Sequence, residues 1–257
     1  VGSSGGGIYL GSGSFTQMSN ALIQKNFAEL GGGLFVDEGN ATLIGDSAIE
    51  YNTAIKSSIL VGHGAGVFLN DGANLTINVG HVRNNTAENG GGGIFIRGTS
   101  TLNHMGASSI RYNQATGNGG GIHLKNGTVN LSAPVQENSA DSGGGIFAGG
   151  IVTEKQALFL TNMDVTSNTA TGTGGGIAIN LGSTLHLNNS QLSGNEAGSR
   201  GGGLHQNINN SAFITDSLVI LNEAGAQGGG IYANTNATTS ITGTTISTNT
   251  TASVGGG

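Results

Sequence analysis

Glu196 and Glu223 are the carboxylates best placed to do chemistry, because they hold the same position in two near-identical stretches, NEAGSRGGGLHQN (Asn195–Asn207) and NEAGAQGGGIYAN (Asn222–Asn234). If these stretches stack as successive layers, the two backbones lie about 5 Å apart, close to the carboxylate spacing of a retaining glycosidase. Such a pair needs a cationic or polar partner beside it, and none is expected to stack there. The expected behaviour is a solvated like-charge pair that could hold a cation weakly. Arg97 and Lys125 share another position in adjacent units, with Asp37 two units before Arg97. That column could hold a sulfated or carboxylated sugar, or form a plain surface turn. The six His do not cluster. His123 and His205 are read as sharing one column and His104 and His186 another, each pair three layers and so ~14 Å apart, too far for a common metal. The chain has no Cys, no phosphate-binding loop, no calcium-binding nonapeptide and no Gly-x-Ser-x-Gly elbow. It is read as a non-enzyme without metal or cofactor.

Each of these residues is defined by its place in a repeat. An aliphatic residue follows each glycine triplet, or Gly-Ala-Gly in one unit: Ile8, Leu34, Val67, Ile94, Ile122, Ile146, Ile177, Leu204 and Ile231. Before each following triplet stands an asparagine: Asn26, Asn52, Asn85, Asn113, Asn138, Asn168, Asn195, Asn222 and Asn249. Three residues before every one of these is Ile, Val or Leu. A period near 27 residues marks a stacked array in which each unit buries its apolar side against its neighbours. Short alternating runs such as Ile177-Ala178-Ile179 and Leu185-His186-Leu187, bounded by Gly, Asn and Ser, read as strands.

The expected fold is therefore all-β, a right-handed parallel β-helix of about nine coils with three short strands per coil, continuous over residues 1–257 as one domain. The triplets fit corners where a side chain would collide, and the asparagines fit a structural turn ladder. A second asparagine column is expected at Asn180, Asn207 and Asn234. Fifty glycines and a single proline follow from this architecture and not from disorder. Insertions at Ala54–His63 and Gly149–Leu158 are the places where a specific site is expected. The first coil begins at once with Gly5–Gly7 and the last ends on another triplet, Gly255–Gly257, so the ends are read as uncapped or cut from a longer chain.

A Gly-Gly-x followed by Ile, Leu or Val, alternating with an apolar residue three before Asn, resembles the repeats of polymorphic outer-membrane protein type autotransporter passengers and related β-helix adhesins. The usual Phe-x-x-Asn motif of those repeats carries an aliphatic here, and no translocating barrel is present in the sequence. The resemblance implies export, surface display, and adhesion or self-association.

One residue past each first aliphatic lie Tyr9, Phe35, Phe68, Phe95, His123, Phe147, Ala178, His205 and Tyr232. Strand alternation points this column outward, so all but Ala178 are expected to form an exposed interaction stripe, unless a neighbouring loop covers them. A net charge of −6 spread without runs speaks against nucleic acid, and no apolar run is long enough to span a membrane. The expected partners are the chain itself, through coil-end stacking and lateral contacts, or further repeats of a parent chain, with surface glycans as another. The expected location is extracellular or at the cell surface. A filament subunit or adhesive stalk is the leading functional expectation; a polysaccharide-binding or polysaccharide-cleaving β-helix is the alternative.

Overall fold

A computed structural model describes residues 3–57, 62–150 and 156–252. Part of the insertion Ala54–His63, the centre of Gly149–Leu158 and the triplet Gly255–Gly257 lie outside these residues. The described residues contain strands and turns and no helix. Each strand pairs in parallel with its counterpart one repeat away, which makes a solenoid of nine coils.

Coil seven shows the unit. Ile177–Ile179 belongs to a first sheet of nine strands; Ser183–Asn188 and Gln191–Ser193 both belong to a second sheet of sixteen; Glu196–Ala197 belongs to a third sheet of nine. Three faces are present as the period predicts, but the second is built from two segments in most coils. They fuse into one long strand at Asn74–Arg83 and again at Thr101–Arg111, with a register shift between Ile77 and Val79.

The periodic aliphatics face inward. Ile94, Ile122, Ile146 and Ile177 align from coil to coil with no exposure, as do Leu102, Val129, Leu158 and Leu185. One continuous apolar column fills the rod, and each fully buried aliphatic contributes about 1.5–3 kcal/mol. The triplets close the corner between the third and first sheets. Gly119 sits at φ +69°, in the left-handed region, and a Cβ on Gly120 would lie 2.4 Å from the carbonyl oxygens of both Gly144 and Ser139. The coils pack through backbone at this corner, so any side chain would force them apart.

Candidate functional site

The asparagine column is a closed hydrogen-bond system. Asn113 Oδ1 accepts from Asn85 N at 3.1 Å and Asn85 Nδ2 at 2.9 Å. Its Nδ2 donates to Val82 O at 2.9 Å and Asn138 Oδ1 at 3.0 Å. The side-chain link repeats in unbroken sequence from Asn26 to Asn249. The carbonyl that receives Nδ2 belongs to the aliphatic three residues before the preceding ladder Asn, which explains their fixed spacing. The second column forms one link, Asn234 Nδ2 to Asn207 Oδ1 at 3.3 Å.

Just before the ladder lies a column that residue types do not reveal. Lys25, Tyr51, Asn84, Tyr112, Glu137, Ser167, Leu221 and Thr248 all have φ between 54° and 57°, and Gly194 stands at 61°. The chain swings from the second sheet into the third through one left-handed residue per coil, whose side chain is thrown outward. Two of these residues, Tyr51 and Tyr112, flank a groove of about 380 Å³ lined also by Asn84, Thr86, Gln114, Glu137 and Ser139. The Tyr112 hydroxyl donates to Glu137, which raises the phenol's pKa, and Arg111 Cζ lies over the ring at 5.5 Å from its centroid. The ring is thus held from two sides.

The aromatic column exists in the expected register but is not an exposed stripe. Tyr9, Phe35, Phe68 and Phe95 stack in order with centroids 4.9 to 5.3 Å apart, His123 and Phe147 continue the column edge-on, and His205 stacks on Tyr232 after the break at Ala178. Phe35, Phe68, Phe95, His123 and His205 are buried, Phe147 and Tyr232 half-buried, and Tyr9 alone is exposed. Alternation does turn these side chains away from the central core, but chain entering the glycine corner folds over them. Leu30 packs on the phenylalanines, the His63 ring lies 4.3 Å from Phe95, and Arg97 and Arg200 lie 5.2 Å above Phe68 and Tyr232. The column is a second, smaller core.

Burial governs the histidines. His123 is pushed down to about 3, chiefly by desolvation and then by the neighbouring His63 and Lys125, and its Nδ1 has no hydrogen-bond partner. Desolvation brings His63 and His205 down to about 4. His104 and His186 do not share a column. His104 stands ten residues past Ile94 and His186 nine past Ile177, so one faces in and the other out. His104 aligns with Ile77 and Leu131 inside the rod, without exposure and with both nitrogens unpartnered; His186 aligns with Phe159 and Phe213 outside.

Glu196 and Glu223 are direct register partners in the third sheet, both exposed, in line with Thr169 and Thr250. Among the described residues, no three His, Asp or Glu side chains come together in a way that could hold a metal. Asp37 and Arg97 are joined through Asn70, whose Nδ2 donates to Asp37 Oδ1 at 2.6 Å and whose Oδ1 accepts from Arg97 Nε. Asp37 also accepts from the Tyr9 hydroxyl at 3.1 Å. This column is internally satisfied along coils two to four.

Neither curated proteins nor solved structures give a match to the chain. Residues 1–140, more than half of the 257, match the family described as right handed beta helix region. The parallel coils, three-faced section and inward aliphatic columns continue past that segment in the same register, and the chain belongs to the right-handed β-helix family.

Proposed function

We propose that the chain is a non-enzymatic extracellular module, a rigid rod that serves as an adhesive stalk or filament subunit like the autotransporter passengers its repeats resemble. The observation that carries this reading is the unbroken asparagine ladder from Asn26 to Asn249, which ties every coil to the next. A rod held in this way presents the same outward positions at a fixed pitch, so weak contacts sum along its length. Strand edges of an outermost coil can accept a further coil from the parent chain or from a second copy. Negative-stain microscopy over a concentration series is expected to show straight particles about 40 Å long that join end to end. Flexible or globular particles would contradict the rod, and straight particles that never join would contradict head-to-tail assembly.

A second reading, binding of a neutral glycan, is favoured by the groove between Tyr51 and Tyr112. Phenol rings beside amide and hydroxyl groups suit the apolar and polar faces of a sugar ring. On this reading, Tyr51→Ala combined with Tyr112→Ala abolishes retardation in affinity electrophoresis through neutral polysaccharide gels. Glu196→Gln with Glu223→Gln leaves it unchanged. Turnover of the polysaccharide that disappears with the glutamate pair would overturn the non-enzymatic assignment.

A further inference from the structure

The outward side of the first segment of the second sheet carries no Asp, Glu, Lys or Arg in any of the nine coils, from Phe15–Ser19 to Thr238–Thr242. Its outward positions are Thr, Ser, Asn, Gln, one His and a few apolar residues, although the chain as a whole carries 22 Lys, Arg, Asp and Glu side chains. Near one end, Phe159, His186 and Phe213 stack in register, with centroids 4.9 and 5.0 Å apart and planes within 13° of parallel. Phe159 and Phe213 are 40% and 39% exposed. Short residues surround them, among them Ala157, Thr184 and Thr161.

Uncharged, with an aromatic cluster among small polar residues, this face has the composition of a protein interface core. Its size also fits. Nine coils at ~4.8 Å and a five-residue strand at ~3.3 Å per residue give roughly 700 Å², against roughly 800 Å² per partner in a stable complex. The rings stack on one another, which leaves edges and not faces outward between them, so a sugar ring has no stacking platform at the centre of the stack. Electrostatics selects the partner: the molecule carries a net −6, and here two copies meet without opposing like charges.

We infer that a second copy of this chain packs on this face, the two rods parallel and in register about a two-fold axis running along them. Each coil then faces the same coil of its partner, with Phe159, His186 and Phe213 each opposite itself. Antiparallel rods with full overlap would instead set Phe159 against Asn103 and Phe213 against Thr42, and so lose the aromatic contact. This deepens the structural reading by naming a lateral partner, but it does not depend on end-to-end joining, because a two-fold contact closes at a dimer.

Sedimentation equilibrium is expected to show a dimer for the wild-type chain. Phe213→Glu sets two carboxylates face to face across the axis and is expected to leave only monomer, while Phe27→Glu on the third sheet stays dimeric. Thr184→Glu serves as the second variant should Phe213→Glu misfold, with circular dichroism to score folding. The chain has no Cys, so His186→Cys and Thr42→Cys can each be tested alone with a short bis-maleimide, facing sheets being ~10 Å apart. Both should cross-link to themselves. A monomeric wild type, or a Phe213→Glu dimer, overturns the interface; cross-linking at His186→Cys without Thr42→Cys overturns the parallel register. Loss of end-to-end joining in microscopy with the dimer retained counts against the filament reading and leaves this one standing.

Discussion

Replacing Asn113 by alanine is expected to destabilise the rod by about 3–5 kcal/mol, although the substitution removes only an uncharged amide. Asn113 is without exposure and makes four side-chain hydrogen bonds. Truncation leaves Asn85 N and Nδ2 without their shared acceptor and removes the amide donor from Val82 O and Asn138 Oδ1, where water cannot replace the lost partner; Asn138 Oδ1 keeps only its bond from the backbone N of residue 113. Asn113→Asp should be worse at neutral pH. A carboxylate can still accept from Asn85, but it cannot donate to Val82 O or Asn138 Oδ1, and it buries a charge. Part of that loss should return on acidification, as the carboxyl regains a donor. Asn249→Ala is the control. Its half-buried site leaves the broken bonds open to water, and it should cost about 1–2 kcal/mol. Because stacked coils can unfold piecewise, urea melts should be paired with hydrogen exchange at Asn85 and Asn138. Equal losses at Asn113 and Asn249 would show that the ladder is not what couples the coils.

The ladder was legible in the sequence because its chemistry demands one side chain: an amide that both donates and accepts along the column. Nothing else can replace Asn there, so it recurs. The left-handed column beside it was illegible for the opposite reason. What recurs at Lys25, Tyr51, Tyr112 and Leu221 is a backbone angle, and the outward side chains are free to vary. Alternation correctly turned Phe68 and Phe95 away from the central core, yet it said nothing of what folds over them. The cover comes from Leu30 and His63, which hold the same corner position in successive coils but share no residue type that a pattern would pick out. The fault with His104 and His186 was one of parity, since a one-residue difference in offset exchanges the faces of a strand. The same alternation locates the uncharged face, once outward positions are compared by charge and not by aromatic content.

Mild acid is expected to unfold the rod through its buried histidines. Each prefers to be neutral in the folded chain: His104 and His123 fall to about 3, and His63 and His205 to about 4, with burial the leading cause in every case. A folded value below the unfolded ~6.5 means that the stabilisation is complete above pH 6.5 and is lost as the pH falls toward the folded value. For His104 and His123 the loss is about 1.4 kcal/mol each per pH unit, or about 4 kcal/mol together by pH 5. His63 adds to this in the same direction, because burial, and then the nearby Lys125, Arg97 and Lys56, hold its imidazole neutral in the folded chain. The urea midpoint should therefore drop steeply between pH 7 and pH 5. His104→Leu isolates one contribution. Its column neighbours Ile77 and Leu131 show that an aliphatic side chain belongs there, and the imidazole it replaces has no hydrogen-bond partner. The variant should match or exceed wild-type stability at pH 7.5 and lose about 1.4 kcal/mol less for each unit of acidification. An unchanged pH slope in His104→Leu would place the acid sensitivity elsewhere; a slope reduced by one histidine's share would mean that the rod's lumen carries a proton-sensitive element in its fourth coil.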